Sequence, residues 1–227
     1  MVRAIFARSL LAWAVLSGIA FLDVSSVAWS VEMKDQGLSF SDEKGSFRLL
    51  SVTGTGTRAD PITVTEEVTG PDMPVLVIRG FSGAFGNTAQ SFHFTGFAMK
   101  KVVINHTGKT WGSYRVELRE IETQHSGYGD GLSFAQGDAD AIAYATSTTF
   151  PTAKVISEPE DSVTFGNAVV PPGGTAVMQF IVTDMSPVSP FYLLQEATEP
   201  ISQRGMPSSL TRLAATMDPR NTCEGDK

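Results

Sequence analysis

The chain has 227 residues, 42% of them apolar, with a formal net charge of −7, three histidines and one cysteine. That length suits one core of the kind a single β-sandwich or barrel encloses. The negative surface repels polyanions and so excludes nucleic acid as a natural partner. Cys223 has no second cysteine to pair with in the chain, so disulfide-stapled scaffolds are excluded and stability must come from apolar burial.

In chain order, the first segment reads as a secretory leader. Arg3 and Arg8 form a basic start, 9–22 is an apolar run without charge, and Asp23 closes it. Ser26-Val27-Ala28 and Ala28-Trp29-Ser30 place small residues where a signal peptidase reads them, so cleavage is expected after residue 28 or 30. The run is shorter than the roughly 20 residues that cross a bilayer, so no stable membrane anchor is expected after cleavage. The expected location is secreted or periplasmic. Three parts follow: a signal peptide over 1–30, a folded domain over 31–198 and a flexible tail over 199–227.

Between the leader and the tail the pattern has period two, broken by Gly, Pro and Asp, which predicts an all-β domain. Strands are expected at 47–52, 62–68, 75–78, 92–94, 97–104, 114–119, 163–165, 175–183 and 191–195. Over 114–119, Tyr114, Val116 and Leu118 face a core while Arg115, Glu117 and Arg119 face water. Over 175–183, Ala176, Met178, Phe180 and Val182 share one face. The continuous apolar stretch 75–78 predicts a strand covered on both sides. Pro61, Pro71, Pro74, Pro171, Pro172, Pro187 and Pro190 all fall between these runs, where a missing N–H breaks no ladder. A bulge is expected at Gly96, where the apolar register shifts from Phe92 and Phe94 to Phe97 and Met99. The stretch 139–145 suits a short helix by its alanines and a strand by its alternation, and is expected to be a loop with local structure. The strand spacing predicts two antiparallel sheets packed face to face, an immunoglobulin-like or jelly-roll-like β-sandwich.

Several motifs resemble catalytic ones and fail on context. Gly54-Thr55-Gly56-Thr57-Arg58-Ala59 fits a dinucleotide fingerprint, yet Asp60-Pro61 and a β-branched run follow where a helix is required. Gly80-Phe81-Ser82-Gly83-Ala84 approaches a nucleophile elbow, again without the following helix. His93, His106 and His125 have no metal-ligand spacing. Asp130, Asp138 and Asp140 in a Gly-rich stretch are a candidate calcium set, since loop carboxylates suit a hard cation; Glu158, Glu160 and Asp161 form a second acidic loop. Apart from calcium, no cofactor is implied. Asn105-His106-Thr107 is a glycosylation sequon at a predicted turn.

The stretch from Val102 to Trp111, containing Asn105-His106-Thr107-Gly108 and followed by Tyr114, Val116, Glu117 and Leu118, resembles the Asn-x-Thr-Gly pattern of exported bacterial immunoglobulin-like β-sandwich modules. Val170-Pro171-Pro172-Gly173-Gly174, followed by 175–180, resembles the turn and apolar strand of the same modules. The resemblance implies a non-enzymatic binding role in the envelope or outside the cell. The expected function is therefore an exported, non-catalytic β-sandwich with a binding or structural role and a protein, matrix polymer or glycan as partner. For a glycan, Trp111, Tyr128 and Tyr144 are the candidate stacking platforms. The alternative is a secreted, glycosidase-like hydrolase using Asp130 with Asp138, or Glu117 with Glu120, as paired carboxylates.

Overall fold

The computed structural model describes residues 32–200. The expected leader over 1–30, the tail from residue 201 and Cys223 lie outside the described residues. In chain order the elements are β1 (Glu32–Asp35), β2 (Leu38–Ser41), β3 (Phe47–Thr53), β4 (Ile62–Val68), β5 (Val75–Arg79), β6 (Thr95–Asn105), β7 (Trp111–Arg119), a 3-10 turn (Tyr128–Asp130), α1 (Ala139–Ala143), β8 (Thr146–Ser147), β9 (Thr152–Ile156), β10 (Ser162–Val170), β11 (Thr175–Asp184) and β12 (Phe191–Thr198).

The domain is all-β, as the alternation predicts, and its strands form two open sheets. One has seven strands in the order β1-β2-β5-β12-β7-β10-β9, and the other has five in the order β3-β4-β6-β11-β8. The first is antiparallel throughout. The second is mixed, because β4 and β6 run parallel; this corrects the expectation of two purely antiparallel sheets. The cause is the path of the chain: after β4 it crosses to the other sheet as β5, and it returns as β6 in its original direction beside β4.

Apolar side chains from both sheets fill one core. Val64, Met99, Val103, Ala176, Met178, Phe180 and Val182 come from the five-stranded sheet, and Leu76, Ile78, Tyr114, Val116, Leu118, Phe165, Phe191 and Leu193 from the seven-stranded one. Burying each large apolar side chain contributes about 1.5–3 kcal/mol. At one end Phe81 packs edge-on against Phe97, ring centroids 5.2 Å apart. Strand β5 lies between β2 and β12 with Val75 to Ile78 all buried, as its unbroken apolar run predicts.

Three local expectations change. Residues 92–94 form no strand: Asn87 turns its side-chain amide onto Ser91 O (2.7 Å) and His93 O (2.8 Å), taking over the hydrogen bonds a neighbouring strand would make and leaving Phe92 and Phe94 exposed. Gly96 is not a bulge, because β6 pairs with β11 without a break from Thr95↔Asp184 to Ile104↔Thr175; the irregularities lie in β3 and β10 instead. Residues 139–143 are helical because Asp138 caps them, its Oδ1 accepting from Ala141 N at 3.0 Å.

Candidate functional site

The motifs set aside on context are turns. Gly54 has φ +112, and a Cβ there would meet Pro61 O at 2.2 Å, so the position requires glycine to close a connection between strands. Thr55 N donates to Asp60 Oδ2 at 3.1 Å across that connection. Ser82 lies in an exposed turn closed by Phe85 N donating to Ser82 O at 2.9 Å, with no helix after it.

The sequon and the Pro-Gly turn interlock. Asn105 is fully buried; its Nδ2 donates to Lys109 O (2.8 Å) and Val170 O (3.1 Å), and its Oδ1 accepts from Thr107 Oγ1 (2.7 Å). Gly173 N donates to Asn105 O at 2.7 Å. These residues build a turn, and the Asn105 amide is committed to it.

Beside this turn lies a cleft of about 560 Å³ whose walls include Asp72, Lys109, Trp111, Tyr114, Glu196 and Glu199. It exists because β5 begins only at Val75, so the last residues of β12 pair with β7 alone. Gln195 N donates to Pro74 O at 3.0 Å, so odd-numbered residues of β12 aim their backbone groups away from β7. That alternation directs the N–H and C=O of Ala197 into the cleft.

Under the cleft floor each sheet contributes one buried polar pair. Lys101 Nζ donates to Glu66 Oε2 with both residues fully buried. Tyr114 Oη donates to Gln195 Oε1 at 3.1 Å. Burial drives the Glu66 carboxyl up and the Lys101 ammonium down, while their attraction opposes both shifts.

The aromatic candidates are dispersed. Trp111 is 3% exposed and packs on Tyr114, centroids 5.4 Å apart. Tyr144 is half-buried and donates from Oη to Arg58 O at 2.9 Å. Tyr128 opens the 3-10 turn beyond the other end of β7.

Among the candidate calcium acids, Asp138 spends Oδ1 on the helix cap and Oδ2 on Phe92 N at 3.1 Å, Asp140 is exposed on α1, and Asp130 is half-buried with Oδ1 accepting from Leu132 N at 3.1 Å. Among the described residues, the three acid and histidine side chains whose ligand atoms lie within 4.8 Å of one another are Glu117, His125 and Glu160. Two guanidiniums already occupy that group. Arg119 Nε (2.5 Å) and His125 Nδ1 (2.6 Å) meet Glu117 Oε1, and Arg115 bridges Glu117 Oε2 (2.9 Å) and Glu160 Oε1 (2.5 Å). Burial acts to raise the Glu117 pKa, but the Arg119 and His125 hydrogen bonds and the two arginine charges hold it below the usual range. A cation would have to displace those arginines.

A second acid-rich region lies at the opposite end of the strands from the cleft. A pocket of about 220 Å³ there is lined by residues that include His93, Asp130, Ser133, Gln136 and Ser186. Gln136 donates from Nε2 to Asp161 Oδ1. Burial, opposed by that bond and reinforced by Asp130, Glu158 and Glu117, pushes the Asp161 carboxyl up to about 7. Burial also raises Asp184 and Glu120, and Asp130 adds to both. Sequence reading noted Asp161 only as a loop acid and missed Gln136 and Asp184; their proximity depends on loops converging across more than 40 residues.

Among the described residues no helix is long and apolar enough to cross a membrane. Comparison of the chain with protein-family models, curated proteins and solved structures finds no match.

Proposed function

We propose that the chain is an exported, non-catalytic binding protein of the immunoglobulin-like or jelly-roll-like sandwich kind, which takes an extended segment of a protein partner against the last residues of β12, where β5 no longer pairs with it. The observation that carries this reading is the cleft of about 560 Å³ into which Ala197 presents its backbone. A short unpaired stretch of strand beside a groove suits strand addition, in which main-chain hydrogen bonds give affinity and neighbouring side chains give selectivity. The charged rim, with Asp72, Lys109, Glu196 and Glu199, suits a polar peptide. Export is supported by the basic start, apolar run and small-residue cleavage pattern over 1–30.

A protein partner is favoured over a glycan because Trp111, at 3% exposure, has no open face on which a sugar could stack. The hydrolase alternative is disfavoured because the Glu117 carboxylate is held by two arginines and a histidine and both Asp138 oxygens are engaged, whereas paired-acid hydrolysis needs both groups free to reach substrate.

The test screens a displayed peptide library and a glycan array against the chain and its Ala197→Pro variant. The proline removes the N–H that faces the cleft and leaves the β7 ladder donors intact. Peptides that bind the chain and lose binding to the variant support the reading. Equal peptide binding by both, glycan binding alone, or no binding in either format refutes it.

A further inference from the structure

We propose that a hard divalent cation of the calcium class binds where the pocket at the far end of the sandwich, lined by Asp130 and Gln136, meets the buried Asp161 carboxylate that Gln136 holds behind it, with Asp130, Gln136 and Asp161 supplying the ligand oxygens. Three loops meet there: the one leaving β7, the one leading to α1, and the one entering β10. Asp161 is held in place by its own backbone, its N–H donating to Ser126 O at 2.8 Å and its C=O accepting from Leu118 N at 2.9 Å. Its side chain is fully buried, and Oδ2 has no hydrogen-bond partner among the described residues. Gln136 is 7% exposed and lines the pocket, and its Oε1 is equally unpartnered. A buried amide oxygen and a buried carboxylate oxygen without donors are costly, and a cation satisfies both. Asp130 stands on the pocket wall. The Asp184 Oδ1 lies 3.1 Å from where a Cβ on the pocket glycine Gly131 would sit.

The local charge points the same way. Asp161, Asp184 and Glu120 are all raised, first by burial and then by neighbouring acids, Asp130 among them in each case. This sets the pocket apart from the Glu117 group, where arginines already supply the positive charge. Carboxylate and amide oxygens are hard donors, which calcium takes in sets of about six to eight; water and loop carbonyls complete the set. Of the acids expected from sequence, Asp130 remains, while Asp138 and Asp140 give way to Asp161 and Gln136.

The experiment titrates the chelator-treated full chain with calcium chloride by calorimetry and follows thermal unfolding with and without the ion. The expected result is one calcium per chain and a Tm rise of about 5–10 °C at free calcium about one hundred times Kd. Asp161→Asn preserves the side-chain shape, and Asp130→Asn acts at the half-buried wall, so both should fold; each is expected to weaken calcium binding at least about tenfold. Glu160→Gln, in the arginine-bound group, is expected to leave it unchanged. The proposal is overturned if calcium gives neither heat nor a Tm shift, if zinc binds more tightly than calcium, or if Glu160→Gln abolishes binding while Asp161→Asn does not.

Discussion

Replacing Asp161 with asparagine in chelator is expected to weaken the dependence of stability on pH between 5 and 8. The carboxyl has no exposed surface and is raised from 3.8 to about 7. Between those values the folded chain holds a proton that the unfolded chain has released, so stability is fullest below 3.8 and falls as pH rises through about 7. At about 1.4 kcal/mol per pH unit, the part of this window above pH 5 amounts to about 3 kcal/mol, or about 5–10 °C in Tm for a chain of this size. Asp184, Glu120 and the buried Glu66 are raised too and add a slope of the same sign, while the lowered Lys101 acts with the opposite sign. The groups held low, Glu117 and Glu43, act with the opposite sign below 4.5, outside the range measured. The assay is thermal or urea unfolding of both proteins at pH 5 and 8 in chelator. The wild-type chain should be more stable at pH 5; the variant should show a smaller difference and exceed the wild type at pH 8. A wild-type chain no more stable at pH 5 than at pH 8, or a variant with an unchanged difference, refutes the reasoning.

Two further outcomes follow from named contacts. Lys101→Met leaves Glu66 buried without its counter-charge and should cost about 3–5 kcal/mol at pH 8, whereas the double variant with Glu66→Leu should recover most of that loss, as read by urea unfolding. Asp138→Ala removes the α1 cap and should cost about 1–2 kcal/mol without altering the calcium response; a lost response would show that Asp138 is a ligand after all.

The strands were legible wherever alternation or an apolar run met a clear turn signal. The expected span 62–68 coincides with β4, and 175–183 falls one residue short of β11. Strands β1, β2, β8 and β9 escaped: β1, β8 and β9 are sheet edges, and β2 is only four residues long. Lys154 in β9 and Lys34 in β1 stand in water, so no face of either strand carries a continuous apolar pattern. The 92–94 segment misled for the converse reason: Phe92 and Phe94 alternate like core residues, yet the Asn87 side chain holds the backbone out of any sheet. The parallel pairing of β4 and β6 has no local signature, since it depends on which sheet β5 joins.

The candidate sites were less legible. The cleft is a property of where β5 starts, and no residue type marks it. Glu117 read as a solvent-facing acid because its alternation is right; it is 2% exposed because Arg115 and Arg119, two residues away on either side, fold over it. Lys101, in the middle of an apolar strand, was the one visible sign of the buried polar pairs. The acid pocket was half legible, since Asp130 and Asp161 were noticed in separate loops and only the tertiary fold brings them to one place.

The Asn105 turn bears on how the protein can be produced. In a eukaryotic secretory host the oligosaccharide would be attached to the nascent chain before the strands close, and a sugar-bearing nitrogen cannot also serve Lys109 O and Val170 O. Such a host would make two populations, an unmodified one that folds and a modified one retained by quality control. The usual remedy, Asn105→Gln, lengthens the side chain that fastens the turn and exchanges one defect for another. Changing Thr107 to alanine abolishes the acceptor signal and gives up only the hydroxyl contacts with Asn105 Oδ1 and Lys109.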